Sequence, residues 1–325
     1  MRSSLRLLLL VAGLSLSPAL WAEPQNPECI APAAPGGGFD LACRLAQSGL
    51  KETGLLQQPL AISYMPGGVG AVAYNQIVTQ RPAEEGTLVA FSTGSLLNIA
   101  QGKFGRFDEQ AVRWLAVIGT SYGALAVRSD SPYRNLQDLV NDLKHNPDRV
   151  IIGTSGTIGG QDWLQLALVA RAAGLNPRRL RYVALEGGGE IATALQGGHI
   201  QIGSTDISDS IPRVQSGQIR ILAVFAPHRL REEPAMADIP TAREQGFDIV
   251  WPVLRGFYMG PQVSEAQYQW WKTTFDHLLA SEDFAQLRDQ RELFPLSLTG
   301  PELTQHIQEA VTRYRQMARE FDLIH

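Results

Sequence analysis

The chain predicts an α/β fold in two domains, each a mixed, mostly parallel sheet flanked by helices. Three observations predict it. Apolar runs of strand length alternate with helix-length segments, which argues for a largely parallel sheet with helices on its faces. The junctions between them are repeatedly built from glycine and hydroxyl residues. Two apolar stretches, near 124 and 224, read as places where the chain passes to a second domain and returns. Roughly 300 residues beyond the leader suffice for two domains of ordinary size.

The first unit is the clearest. Cys29-Ile30-Ala31-Pro32 is an extended apolar run that ends at Pro35-Gly36-Gly37-Gly38-Phe39-Asp40, and a helix is expected over 41–52. Asp40 stands where a helix N-cap should be. Glycines let a ligand approach the backbone N–H groups, and the free N–H groups of a helix start favour an anion. The plain alternative is a tight strand-to-helix turn with an ordinary Asp cap.

The same sequence of strand, turn and helix recurs. A strand over 59–64 stops at Met65-Pro66-Gly67-Gly68-Val69-Gly70 before a helix over 71–79. Another, over 87–91, ends in Ser92-Thr93-Gly94-Ser95. Strands over 114–119 and 124–128 are separated only by Thr120-Ser121-Tyr122-Gly123, which suggests the first domain crossing. A short helix over 135–144 leads to a strand over 149–153. Thr154-Ser155-Gly156-Thr157-Ile158-Gly159-Gly160 then opens a helix over 161–173. A strand over 180–184 stops at Glu186-Gly187-Gly188-Gly189-Glu190 before a helix over 191–196. A strand over 199–203 ends in Ser204-Thr205-Asp206, and a helix over 207–216 leads to the apolar run 219–225. The remainder reads as mainly helical. It has a capping box at Ser264-Glu265-Ala266-Gln267 and one apolar face formed by Leu303, Ile307, Val311, Tyr314, Met317 and Phe321. The expected division is 23–123 with 226–325 as the first domain and 124–225 as the second.

Residues 1–22 read as a secretory signal peptide, with Arg2 and Arg6 ahead of a short apolar region and Leu20-Trp21-Ala22 as the cleavage site. Beyond it no apolar run approaches the roughly 18–20 residues that span a bilayer. A soluble, exported protein is expected. The net charge of -4 and the absence of a basic stripe argue against nucleic acid as a partner. Only Cys29 and Cys43 are present. In an oxidising compartment their pairing would tie the first strand to the first helix; the alternative is two buried thiols. No spacing supports a metal site, and no cofactor is expected.

Two motifs resemble catalytic ones. Gly68-Val69-Gly70-Ala71-Val72-Ala73 matches a dinucleotide fingerprint, but the nearest candidates for the acidic partner expected about 20 residues on, Glu84 and Glu85, fall early and in a turn. Gly119-Thr120-Ser121-Tyr122-Gly123 matches the nucleophile motif of hydrolases, which requires a strand-to-helix elbow. Here a strand follows, which argues against Ser121 as a nucleophile. An exported hydrolase using Ser121 is the rival reading. The glycine and hydroxyl turns have a simpler joint explanation. Ligands of open α/β sheets gather at the carboxyl ends of strands. Six such turns, three per domain, would point neutral donors at one cleft and suit a carboxylate.

Ala34-Pro35-Gly36-Gly37-Gly38-Phe39-Asp40, Met65-Pro66-Gly67-Gly68-Val69-Gly70, Gly153-Thr154-Ser155-Gly156 and Ser216-Gly217-Gln218-Ile219-Arg220 together resemble the TctC or Bug family. These are the periplasmic solute receptors of tripartite tricarboxylate transporters. The likeness covers essentially the whole mature chain. It implies a two-domain Venus flytrap of the type II binding-protein class, monomeric and non-enzymatic, closing on an organic carboxylate in the periplasm. The acid would then pass to a membrane permease with one large and one small subunit. A sensory receptor for a membrane kinase would look the same in sequence.

The resemblance further implies that Gly37, Gly38, Phe39 and Asp40 bind one carboxylate through backbone N–H groups and ordered water. Gly67, Gly68 and Ser92 would line the first wall of the cleft, and Thr154, Ser155, Thr157, Thr205 and Asp206 the second. Two departures stand out. Many members have Pro-Tyr-Lys-Gly-Gly where this chain has Val183-Ala184-Leu185-Glu186-Gly187-Gly188. Many also have a Trp-Gly pair where this chain has Trp251-Pro252-Val253-Leu254-Arg255-Gly256. An arginine there, with the two cysteines, resembles the tricarboxylate branch and points to a citrate-like ligand. Arg255 is then either the bidentate partner of an extra carboxylate or half of a structural ion pair.

Overall fold

The computed structural model describes residues 23–185, 188–231 and 234–324. The leader expected over 1–22 lies outside the described residues, as do Glu186 and Gly187 of the fifth turn. The first units run β1 (Glu28–Ala31), α1 (Gly38–Glu52), β2 (Ala61–Tyr64), α2 (Ala71–Thr79), β3 (Thr87–Ser92) and α3 (Thr93–Ala100). Next come β4 (Arg113–Arg128), α4 (Leu136–His145), β5 (Ile151–Ser155), α5 (Gln161–Ala172), β6 (Arg181–Leu185) and α6 (Gly188–Gln196). They are followed by β7 (Ile202–Asp206), α7 (Ile207–Gln215) and β8 (Ile219–Val224). The chain closes with β9 (Pro252–Met259), α8 (Glu265–Leu279), α9 (Glu282–Asp289), β10 (Leu298–Thr299) and α10 (Gly300–Glu320).

Two sheets share β4. The first has the order β2-β1-β3-β9-β4-β10 and the second β8-β4-β7-β5-β6. The pairs within the repeated units, β1 with β2 and β3 and β5 with β6 and β7, are parallel. Where β4 and β9 join them, pairing is antiparallel. Strand alternation builds a core on each face of both sheets. Cys29 and Leu88 face Leu50, Trp271, Phe275 and Phe284, while Ile30 and Val89 face Tyr74, Leu96, Trp114 and Ile307. In the second lobe Leu125 and Val127 pack with Leu139 and Trp163, and Ala124 and Ala126 with Ile191 and Ile211.

Three expectations are corrected here. The strands expected over 114–119 and 124–128 are one strand, β4, whose residues from Arg113 to Tyr122 pair with β9 and from Gly123 onward with β7. Register shifts at 114/116, 117/119 and 125/126 bend it from one sheet into the other. Pairing with β9 carries the Thr120-Ser121 segment through as strand, and Thr120 also exchanges backbone hydrogen bonds with Phe294. Secondly, the segment 252–259, read among mainly helical residues, is the central strand β9, buried between β3 and β4.

Thirdly, residues 226–251, expected with the first domain, pack on the second lobe. Ala226, Leu230, Met236 and Ile239 join the α6–α7 core, while Phe247, Ile249 and Trp251 join the α4–α5 core. The return crossing therefore falls at Trp251–Pro252. There the Gly123 N–H donates to the Trp251 carbonyl at 3.0 Å and the Trp251 N–H to the Phe225 carbonyl at 2.8 Å. The last helix belongs to both lobes: Leu303 and Ile307 pack on the first and Phe321 on the second.

Candidate ligand-binding cleft

The centre of the cleft is Arg255. It lies on β9 between Ser92 of β3 and Gly119 of β4, at the carboxyl end of β3. Its guanidinium passes over the first residue of α1, so a Cβ at Gly38 would fall 2.4–2.6 Å from the guanidinium atoms. The Nη2 donates to Asp206 Oδ2 at 2.7 Å. Asp206 is the last residue of β7, in the other lobe, so this pair spans the cleft. Both side chains are nearly inaccessible, at 7% and 5% exposure. Arg255 Nε is buried without a hydrogen-bond partner.

Asp206 is otherwise fully engaged. Its Oδ1 accepts from the Ser208 N–H at 3.0 Å, as the N-cap of α7, and from the Ser121 hydroxyl. Ser121 and Ser208 also share a 2.6 Å contact between hydroxyls. Two further acids stand close enough to feel Asp206. Asp162, in the first turn of α5, accepts from the Ser155 N–H at 3.1 Å and from its hydroxyl. Burial pushes its carboxyl up to about 6, against those hydrogen bonds and with added repulsion from Asp206 and Asp209. Asp209, one turn into α7, is pushed upward by burial and then by Asp206, against the pull of Arg255 and Arg213.

The first turn of α1 is an anion-binding feature by construction, because the leading N–H groups of a helix have no intrahelical partner. Gly37 is the N-cap and supplies no side chain, so Asp40 is not the cap expected from the sequence. It lies in the first turn and folds back on the loop. Oδ2 accepts from the Gly36 N–H at 2.8 Å and Arg44 Nε at 2.9 Å, and Oδ1 from the Tyr64 hydroxyl at 2.8 Å. Burial raises this carboxyl, but the donors from Arg44, Gly36 and Tyr64 outweigh it and hold it below the usual range. Asp40 thus fixes the shape of the glycine loop.

The model of the tripartite tricarboxylate transporter family receptors matches residues 42–323. The chain belongs to this family. A UPF0065 protein of Bordetella pertussis is 25% identical over 302 residues, covering 92% of this chain and 91% of its own. MatC of Rhodopseudomonas palustris, solved with bound malate, has a TM-score of 0.75 at 20% identity, over 90% of this chain and 98% of its own. A second R. palustris protein, Rpa4515, solved with adipate, has a TM-score of 0.80 at 18% identity, over 91% and 97%. The structural likenesses give the receptor its two-lobed binding-protein fold. The family is one of substrate receptors, so the chain is not an enzyme. Ser121 agrees with this: it sits inside β4, fully buried and bonded to Asp206, with no elbow.

Among the other turns, those before α3 and α5 approach each other across the lobes. Ser92 is the N-cap of α3 and forms a capping box with Ser95. A Cβ at Gly94, one residue into that helix, would lie 3.8 Å from Gln161 Oε1 at the start of α5 in the opposite lobe. Gln101 Nε2 donates across to the Gly159 carbonyl at 2.7 Å. Thr205 is buried, its hydroxyl 3.4 Å from a Cβ at Gly188. The turn at Gly67 and Gly68 has positive φ at four successive residues, 141°, 60°, 54° and 101°, the third being Val69. Its carbonyls are held by Asn98 and Ser95 of α3.

Not every expected residue reaches the centre. Thr157 is exposed on the rim, and Thr154 is buried within β5. The Phe39 ring packs on the first lobe's core, which leaves only its backbone to face a ligand. The cysteines do pair, with a Cα–Cα distance of 5.7 Å, tying β1 to α1. Asp162, Ser208, Asp209 and Gln161 were missed by the sequence reading, which weighed Ser121 only as a nucleophile. Asp209 follows Asp206 by three residues and Asp162 opens a helix after paired glycines, signals that place an acid near a helix start and name no partner. Among the described residues no helix is long and apolar enough to cross a membrane, and no group of His, Cys, Asp and Glu could hold a metal ion.

Proposed function

We propose that the protein is a periplasmic receptor that captures a small organic polycarboxylate between its lobes and delivers it to the transporter's two-subunit permease. Arg255 is the observation that carries the reading. It is a buried guanidinium at the start of α1, shared between lobes, with its Nε still unpartnered. One carboxylate would sit on the N–H groups of Gly37, Gly38 and Phe39, and a second would take Arg255 in a fork. Gly67, Gly68, Ser92, Thr154, Ser155, Thr157, Thr205 and Asp206 would make up the remaining walls. A ligand carrying a third acid group, citrate-like, fits best with this second cationic contact. The division into lobes we propose is 23–122 with 252–325 and 123–251, which follows the packing of 226–251.

Contacts to both lobes exist together only when the cleft is closed, so binding shifts an open–closed equilibrium. A thermal-shift screen of mono-, di- and tricarboxylates at millimolar concentration tests the reading. A ligand at about 100 times its Kd adds roughly 2.7 kcal/mol, a rise of several degrees for a chain of this size. In Arg255→Ala, each ligand compared with the variant's own unliganded midpoint, the preference for higher acid count should disappear. A flat response of the wild type across the whole panel would end the proposal.

A further inference from the structure

The cleft holds more negative than positive charge. Asp162, Asp206 and Asp209 face it from α5, β7 and α7, against Arg255 from β9 and Arg213 from α7. Arg213 lies along its own helix, donating to the Asp209 carbonyl at 3.0 Å, with its tip 3.5 Å from a Cβ at Gly189. The other charged groups on the packed elements are committed. Asp40 of α1 is bonded to Arg44 and Tyr64, and Arg288 of α9, beside Gly119, is paired with Asp289. Glu190 is exposed on the first turn of α6, and Glu292 meets α7 through its carbonyl, which accepts from Ser208. The three aspartates are physically continuous. The Ser204 hydroxyl donates to the Asp162 carbonyl at 2.6 Å two residues before Asp206, and Asp209 lies on the helix that Asp206 caps. A di- or trianion entering this space adds like charge to a cluster already in excess, and Arg255 presents a buried Nε–H without a hydrogen-bond partner.

On the carboxylate-receptor reading, we propose that capture is proton-linked. A ligand carboxylate replaces Asp206 on Arg255, and the neighbouring Asp162 and Asp209 carboxyls take up about one proton from solvent as it does so. The proton returns to solvent when the ligand leaves. Asp206 is thereby a built-in competitor that keeps Arg255 neutralised in the empty protein and yields when a stronger, multidentate anion arrives.

The sign follows from linkage. Burial already holds the Asp162 carboxyl up to about 6 without ligand, and an added anion raises it and the Asp209 carboxyl further. The loaded form then binds more protons than the empty form, so affinity rises as pH falls from about 8 toward 6 and levels off below, where the empty form is protonated too. Isothermal titration of citrate and malate, in pairs of buffers with different ionisation enthalpies, measures the proton count directly. The same titrations on Asp162→Asn/Asp209→Asn remove the ligand's own titration from the comparison, since it is common to both proteins. The wild type should bind about tenfold more tightly at pH 6.5 than at 7.5 beyond what the variant shows. The variant should gain affinity at pH 7.5. If circular dichroism shows that the double variant does not fold, Asp209→Asn alone, which leaves the Arg255–Asp206 pair intact, should still flatten the slope. Equal slopes in wild type and variant, with no net proton uptake, would overturn the proposal and leave the receptor reading standing. No binding of either acid at any pH would overturn both.

Discussion

At the scale of single residues, Arg255 meets three constraints that rarely coincide. It is buried, its ion pair spans two lobes, and it is incompletely hydrogen-bonded. Buried pairs of this kind contribute little to stability because desolvation offsets their attraction, which is one reason to look for a ligand role. Gly38 is the residue that makes room for it. Its backbone conformation is ordinary for a helix start, so Gly38→Ala costs the helix nothing and its methyl simply occupies the guanidinium's place. We expect this variant to melt lower, because Asp206 is left buried without its cation, and to lose at least about tenfold in carboxylate affinity, about 1.4 kcal/mol. Equal affinity by titration calorimetry would show that Arg255 does not work from this position. Asp40 shows the converse case. Its charge is spent on Gly36, Arg44 and Tyr64, so it shapes the loop from behind rather than meeting the ligand.

At the scale of elements, the starts of α1, α3 and α7 rest on different supports. Under α1 the support is covalent, because Cys29–Cys43 closes a 14-residue separation between β1 and the helix. Cross-linking a loop of about this length restricts the unfolded chain by roughly 3 kcal/mol. Cys29→Ala/Cys43→Ala should therefore lower the urea-unfolding free energy by about 2–4 kcal/mol, with the m-value rising as the unfolded state expands. An unchanged midpoint would mean that the α1–α9 packing alone holds the loop. Under α7 the support is Asp206 itself, as N-cap, and under α3 it is the capping box of Ser92 and Ser95.

At the scale of the molecule, the lobes are joined by shared parts rather than by linkers. β4 contributes side chains to the cores of both sheets, β9 enters the first sheet directly at the crossing, and α10 packs on both. Such sharing makes the lobes interdependent, so we expect heat to unfold them in one transition. Coincident loss of far-UV circular dichroism and tryptophan fluorescence checks this, and Trp114 and Trp163 report on the first and second lobe respectively. Two separated transitions would show that β4 is a tether and not a common core strand.

Much of the fold was legible before any coordinates. The strand-to-helix units over 28–100 and 151–224 are local, each with its own apolar run, turn chemistry and cap, and they recur within a few residues of where the sequence puts them. Asp206, Ser92 and Gly38 were legible as candidates because they end strands or start helices, and Arg255 only through the family resemblance. What residue order could not convey was partnership. β9 is a strand because β3 and β4 pair with it on both edges, and residues 226–251 belong to the second lobe because its two apolar faces have room for them. Arg255 lies 49 residues from Asp206 and far from Gly38 in sequence, and only packing decides that they meet. Sequence by itself determined the units and the turns between them, since those follow from hydrogen bonds and periodicity within a few residues. Tertiary structure alone decided which charges face each other in the cleft, because burial and electrostatic coupling depend on distance in space.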